Sequence, residues 1–197
     1  LNPSSQPLYD YGVEAGIYHA FFKANPSTAD TVKYFYNDSF ITGSNPHKSG
    51  FVTFQPMTLN FRNDLSQIQQ INTIQPVIGF PQSENFIYPN AYGNGINLTY
   101  QYQTDRLKEK LIINSFSDLP LPQQYILDGG NPTLDMDFII TWKDNLDVYI
   151  DGQIWNKQST KTTWGKIEFK SNNETLFMFR EPIAFDNNQS SSLGKYS

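Results

Sequence analysis

The sequence predicts an all-β protein, an antiparallel β-sandwich or jelly roll, and three observations lead to this prediction. Apolar and polar residues alternate through several stretches, among them 96–102 and 134–142, as in strands that have one buried and one solvated face. Turn residues separate these stretches, and Asp151-Gly152 is a strong hairpin signal. A helical period is missing, and the best helix candidate, 63–70, is expected to form a short turn at most.

The alternation and the turns place about a dozen strands in order along the chain. Two further turns, 143–145 and 171–174, are predicted to end hairpins because both are rich in Asn and charged residues. The predicted strands are residues 13–22, 31–36, 51–61, 68–78, 85–89, 96–104, 107–115, 133–142, 146–150, 153–157, 165–171 and 175–180.

The best internal boundary is the Pro- and Gly-rich stretch 114–133, because proline cannot donate to a central ladder. It divides the chain into an N-terminal half, 1–115, a C-terminal half, 116–186, and a polar tail, 187–197. The halves are either two small sandwiches packed together or two parts of one shared core.

Composition excludes several classes of function. The chain has 197 residues, a net charge of -5, no cysteine and two histidines. Disulfides, thiolate metal sites and cysteine nucleophiles are therefore excluded. The acidic balance without basic clusters argues against a nucleic-acid partner, and no apolar run approaches the ~20 residues that a membrane-spanning helix needs.

The titratable residues do not form a catalytic motif, so we expect a protein that is not an enzyme. His19 lies in a strand-like run and is predicted to share a face with Phe21, and His47 lies in a loop. Neither has metal-ligand spacing or a nucleophile motif beside it. Four glutamates are expected to have solvated or paired surface roles: Glu14, Glu109, Glu168 and Glu181.

Aspartates near turns suggest a structural calcium ion as the alternative to a chain without cofactors. The candidate ligands are Asp128, Asp135 and Asp137, because calcium prefers hard oxygen ligands. Asp135 and Asp137 alternate with apolar residues, however, so the simpler expectation is the solvated face of a strand.

Aromatic residues offer a candidate carbohydrate-binding platform. Tyr149, Trp155 and Trp164 lie in or near predicted strands, and the alternative is that they are ordinary core or interface rings. Trp164, in a polar loop, is expected to be exposed, whereas Trp142 follows the apolar phase of its strand and is expected in the core.

Four sequons make Asn37, Asn97, Asn173 and Asn188 candidate glycosylation sites. The 19 Asn and 14 Gln residues together equal the 33 charged residues in number. Amide- and Tyr-rich β chains with few charges are typical of surface and particle proteins, so the sequence favours an extracellular, cell-surface or virion location.

Three segments carry a set of related motifs. A Tyr-Pro-x-Ala-Tyr turn enters a strand within 86–100, a Leu-Lys-Glu strand follows at 107–113, and a Pro-x-Ala-Phe-Asp closure lies within 181–186. Together they resemble β-sandwich modules of large prokaryotic cell-surface proteins and phage structural proteins. The resemblance covers about residues 85–186. It implies a non-catalytic scaffold module and no catalytic residues, and Asn97 stands where the modules usually have aspartate, so no ionic role is carried over.

The sequence therefore favours a non-catalytic structural subunit or module of an extracellular assembly: a cell-surface layer, a filament or a phage virion. Its expected partners are copies of itself or other surface or virion proteins. A carbohydrate-binding or adhesive module with a glycan partner is the alternative.

Overall fold

The computed structural model describes residues 1–39, 41, 47–122, 132–185 and 191–193, and strands dominate throughout. A single 3-10 turn, Phe116–Asp118, is the only helical element in these ranges. The strands are β1 (Asn2–Pro3), β2 (Tyr11–Val13), β3 (Tyr18–Phe22), β4 (Val32–Asn37), β5 (Ser49–Arg62), β6 (Ile68–Thr73), β7 (Phe80–Gln82), β8 (Asn85–Tyr88), β9 (Ile96–Gln103), β10 (Arg106–Ile113), β11 (Thr133–Trp142), β12 (Asp147–Ile150), β13 (Gln153–Ile154), β14 (Ile167–Ser171), β15 (Glu174–Phe179), β16 (Ile183–Phe185) and β17 (Ser191–Leu193).

These strands form three larger sheets and one hairpin. The first sheet has the order β1-β2-β3-β4-β5-β11, with β6 also paired to β5. The second has the order β10-β9-β8-β7, the third has the order β13-β12-β14-β15, and β16 pairs with β17. Every ladder between these strands is antiparallel. The predicted all-β, antiparallel, sandwich-like class is confirmed, and the jelly-roll strand order stays a prediction.

The long strand β5 organises the first sheet because it has two successive partners on one edge. β4 pairs with it up to Phe54, and β6 pairs with it from Thr58 onwards. Pro56 lies between these two ladders and is buried. Proline has no N–H to donate to a partner strand. β5 can therefore accommodate Pro56 at the point where its partner changes from β4 to β6.

The turn predictions are confirmed at two hairpins and wrong at a third. Asp151 and Gly152 have φ values of 51° and 78° between β12 and β13, which is the left-handed pair that a type I′ turn requires. Asn172 and Asn173, at 49° and 66°, join β14 to β15 in the same way. The turn at 143–145 instead carries the chain from the first sheet to the third, so it does not close a hairpin.

Other differences from the predicted strands have local causes. Gly16, at φ 79°, lies in a turn that splits the predicted strand 13–22 into β2 and β3. The missed strands β1, β7, β16 and β17 have only two or three residues each, too few to show alternation. The predicted turn after β5 is confirmed: the Asn63 side chain accepts hydrogen bonds from the backbone N–H groups of Leu65 and Gln67 at 3.0 and 2.9 Å.

A single hydrophobic core joins the three sheets, with buried residues on both sides of position 115. Rings of different sheets meet within it: Phe22 stacks on Phe86 at 4.8 Å between centroids, and Tyr34 contacts Phe177 at 5.8 Å. Strand β11, from the predicted C-terminal half, pairs with β5 from the N-terminal half. These contacts favour the alternative in which the two halves share one core.

Tyrosine hydroxyls tie the sheets together across this core. The single O–H of Tyr102 of β9 is shared between the carbonyl oxygens of Ala15 and Tyr18, at 2.8 and 2.9 Å. Tyr18 in turn donates to the carbonyl oxygen of Leu176, in the third sheet, at 2.9 Å. Each ring thus supplies apolar contact area to the core and a directed hydrogen bond at its far side.

We expect Tyr102→Phe to lower the free energy of unfolding by about 1–3 kcal/mol, because two carbonyl oxygens lose the partly buried donor that they share. Tyr34→Phe is the matched control: its hydroxyl is buried without a hydrogen-bond partner among the described residues, so its loss should cost little. Denaturant unfolding followed by tryptophan fluorescence measures both, and equal losses for the two variants would contradict the role of the Tyr102 hydroxyl.

Candidate functional site

Two long strands end their sheets with an open edge. β10 pairs only with β9, and β11 pairs only with β5, among the residues that the structure describes. Such edges present unpaired N–H and C=O groups, which are templates for another strand. The side chains beside these groups decide which strand can be added.

The outward face of β10 is basic. Glu109 lies opposite the buried Tyr100, so the odd-numbered residues of β10 face the core. The even-numbered positions face solvent, and Lys108 has no ion pair among the described residues. These outward residues are Arg106, Lys108, Lys110 and Ile112.

The outward face of β11 carries two aspartates. Met136 lies opposite the buried Leu59, so the even-numbered residues of β11 face the core and the odd-numbered ones face outward. These outward residues are Thr133, Asp135, Asp137, Ile139 and Thr141.

The two aspartates of β11 differ in their partners. Asp135 forms an ion pair with Arg62. Asp137 accepts hydrogen bonds from Thr58 Oγ1 at 2.5 Å and Asn60 Nδ2 at 2.8 Å, and both donors are neutral. The carboxylate charge of Asp137 is therefore stabilised by hydrogen bonds without being balanced by either donor.

The predicted calcium ligands are only partly brought together. Asp135 and Asp137 are neighbours on one face of β11, as expected for the solvated face of a strand, and Asp128 lies outside the described residues. In the ranges described, no group of three or more His, Asp and Glu side chains is placed to hold a metal ion. Structural calcium stays a prediction.

The three candidate platform rings lie in the third sheet and its connections. Tyr149 is on β12, where Lys170 Nζ lies 4.4 Å from its ring centroid. Trp155 is half-buried and donates its indole N–H to the carbonyl oxygen of Ser159 at 2.8 Å. Trp164 is 62% exposed, as expected from its loop position.

Trp142, expected in the core, is only partly buried. Its ring meets Phe169 edge-on at 5.6 Å, and Lys157 Nζ lies 5.2 Å from its centroid. The side chain points inward as the alternation predicts, but β11 is the last strand of its sheet, so the ring is covered on fewer sides than a central residue would be.

The outer face of the third sheet contains a buried carboxylate. Glu168 is 6% exposed, with Lys166 Nζ at 3.2 Å and Lys170 Nζ at 3.4 Å. Burial alone would raise the pKa of Glu168, but hydrogen bonds from Lys166 and Thr175 and the charge of Lys170 hold it below its ordinary value. The paired role expected for this residue is confirmed.

The candidate glycosylation sites lie in different settings. Asn37 ends β4 and Asn97 lies within β9, and each side-chain oxygen accepts a backbone hydrogen bond. Asn173 is exposed in the turn between β14 and β15. Asn188 lies outside the described residues.

Neither histidine belongs to a group of three or more potential metal ligands among the residues that the structure describes. His19 is half-buried with its ring 6.2 Å from that of Phe21, as the predicted shared face requires, and Nε2 lies 3.1 Å from the carbonyl oxygen of Gly16. His47 lies 3.6 Å from the carboxylate of Asp38. His19 therefore fits the satisfied structural role expected for it.

Glu109 has the exposed position expected of it, but it lies on the core-facing side of its strand. Its side chain is on the same side of the sheet as the buried Tyr100 of the neighbouring strand, and desolvation there raises the pKa of its carboxyl to about 7. The hydroxyls of Tyr92 and Tyr100 are buried without partners of normal geometry among the described residues, and the charge of Glu109 acts on both. Its alternation with Leu107 and Leu111 was the signal that could have placed it inward.

Comparison with protein-family models, with curated proteins and with solved structures finds no match for this chain. Within the described ranges, no helix is long and apolar enough to cross a membrane. Proposals about function therefore rest on the edges, faces and clusters of the chain itself.

We expect the stability of the protein to fall between about pH 4.5 and pH 7 because of Glu109. Its folded-state pKa of about 7 lies above the ordinary value of 4.5, so folding favours the protonated form. The stabilisation is complete below the ordinary pKa and is lost as pH rises through the folded-state pKa. Thermal unfolding at several pH values should show this fall in wild type.

Glu109→Gln should flatten that dependence and raise the melting temperature at pH 8. Glu84→Gln is the control, because hydrogen bonds from Ser83 and Gln101 lower the pKa of Glu84, and it should keep the wild-type fall. A Glu109→Gln profile parallel to that of wild type would contradict the assignment.

Proposed function

We propose that this chain is a non-catalytic structural subunit or module of an extracellular assembly, such as a cell-surface layer, a filament or a virion, and acts through protein–protein contacts. The observation that carries the proposal is the pair of edges, on β10 and β11, that no other strand of the described residues covers. Natural sheets usually shorten, cover or protect such edges. Two open strands of eight and ten residues instead suit a molecule that joins neighbours.

Exposed apolar side chains support this reading because they lie on the open strands. Ile112 of β10 is 41% exposed, and Leu134 and Ile139 of β11 are 38% and 47% exposed. Burial of such side chains against a second molecule would be favourable. Further exposed rings occur at Phe80, on the last strand of the second sheet, and at Phe185 in β16.

The composition suits contacts between copies or with other surface or virion proteins. Asn and Gln equal the charged residues in number, so interfaces built from this surface would be hydrogen-bonded and hydrated. The same amide-rich composition, with few charges, also supports an extracellular location.

We expect purified protein to self-associate as its concentration is raised, with interfaces above about 1,000 Å² in total. Ile139→Lys should weaken association about tenfold or more, because a lysine on an edge strand disfavours added strands. Ile154→Lys, an exposed residue of the third sheet, is the matched control. Analytical ultracentrifugation measures association and electron microscopy shows its products; a chain that stays monomeric throughout would contradict the proposal.

A carbohydrate-binding or adhesive module is the second candidate, and the exposure of Trp164 favours it. Planar rings stack on sugar faces, and Tyr149 lies on β12 of the third sheet while Trp155 directly follows β13 of that sheet. We expect any glycan binding, measured on a glycan array and then by calorimetry, to be lost in Trp164→Ala. Phe185→Ala, which removes a comparably exposed ring elsewhere, should leave it unchanged; binding that survives Trp164→Ala would rule out this platform.

A further inference from the structure

We propose that β10 of one copy pairs antiparallel with β11 of the next copy, so that Lys108 lies opposite Asp137 and Lys110 lies opposite Asp135. The inference rests on the proposed assembly function and names its partner, a second copy of this chain, and its register. It follows from the charges that the two open edges carry on their outward faces.

Pairing of β10 with β10 of another copy is disfavoured by those charges. In an antiparallel pair, opposite residues share a face, so the outward cations would meet each other. A register centred on Glu109 sets Lys108 against Lys110, and one centred on either lysine sets that lysine against itself. Like charges directly opposite each other are destabilising, so the basic residues of β10 disfavour its pairing with β10 of another copy.

Pairing of β11 with β11 does not use the charges of either edge. A register centred on Asp137 would set the Asp137 carboxylates of the two copies directly against each other. A register centred on Phe138 would set Asp137 against Ile139, which gives Asp137 no cation and leaves the lysines of β10 without an anionic partner from the second copy. The mixed pairing of β10 with β11 is the one that opposes cations and anions.

The proposed register also matches apolar residues on the core-facing side. With Lys108 opposite Asp137, Leu107 falls opposite Phe138 and Leu111 falls opposite Leu134. Glu109 falls opposite Met136, a position that suits a carboxyl whose surroundings already favour its protonated form. Both faces of the joint are therefore chemically consistent in a single register.

Such a contact is heterologous, because each copy uses two different edges. A copy offers β10 to one neighbour and β11 to the other, so the contact repeats until it closes into a ring or continues as a filament. The second sheet of one copy would continue into the first sheet of the next, with backbone hydrogen bonds supplying affinity and side chains supplying register.

Charge reversal tests the pairing. We expect Lys108→Asp and Asp137→Lys each to weaken association about tenfold or more, since each creates a like-charge pair. The double variant should recover association, and so should an equimolar mixture of the two single variants, because every contact in an alternating assembly is then between opposite charges. Lys161→Asp, the same charge change in an exposed loop, should have little effect.

Cysteine cross-linking tests the register without altering the charged pair. The chain has no cysteine of its own, and Arg106 falls opposite Ile139 in the proposed register. Opposite Cα atoms lie about 4.5–5.5 Å apart, within disulfide range. A mixture of Arg106→Cys and Ile139→Cys proteins should give a disulfide-linked dimer on oxidation, and either protein alone should not.

Lys108→Cys mixed with Ile139→Cys is the register control. Those positions would be diagonal neighbours about 7–8 Å apart, beyond disulfide range, so this mixture should not cross-link. The β10–β11 pairing would be overturned if the charge-reversal variants associated as strongly as wild type, or if cross-links formed only between copies of Phe138→Cys. Either result would leave the proposed assembly function standing. Protein that remains monomeric in every variant and in wild type would overturn both.

Discussion

The arrangement of the sheets depends on buried tyrosine hydroxyls that reach backbone carbonyl oxygens in another layer. Tyr88 of the second sheet is fully buried and donates to the carbonyl oxygen of Lys23 at 2.7 Å, and Tyr102 and Tyr18 make the further links between layers. A buried hydroxyl is costly unless it finds an acceptor. Hydrophobic burial alone would tolerate sliding between sheets, whereas these bonds are directional and fix where one sheet lies on the next.

The need of a buried hydroxyl for an acceptor also explains why the region around Glu109 is chemically unusual. Tyr92 and Tyr100 belong to the same core but bury their hydroxyls without partners of normal geometry among the described residues. The carboxyl of Glu109 lies beside them, and although the residue is exposed, desolvation on this side of the strand raises its pKa and favours the protonated form. Some core tyrosines thus use their hydroxyls to link the layers, whereas Tyr92 and Tyr100 contribute their buried rings alone.

Alternation and turn chemistry were enough to predict the class and most strands, because both are local properties. The turns at Asp151-Gly152 and Asn172-Asn173 could be recognised from these residues alone, because Asp, Asn and Gly tolerate the left-handed backbone conformation that such turns require. Sheet membership could not be predicted this way: the turn at 143–145 resembles a hairpin turn, yet it joins different sheets, since pairing is set by distant residues. Residue type alone predicted the exposed position of Glu109, whereas its raised pKa depends on how the neighbouring strand packs against it.

Which strands end the sheets could not be predicted either, and that information changes how the charges are interpreted. In composition, 33 charged residues among 197 indicate only a surface solvated largely by amides. In the structure, three cations are among the outward residues of one open strand and two aspartates are among those of another. Amides hydrogen-bond to almost any polar neighbour and discriminate little, whereas charges attract one partner and repel another. A chain with few charges that carries several of them on its two longest open edges can therefore be selective at those edges while the rest of its surface remains permissive.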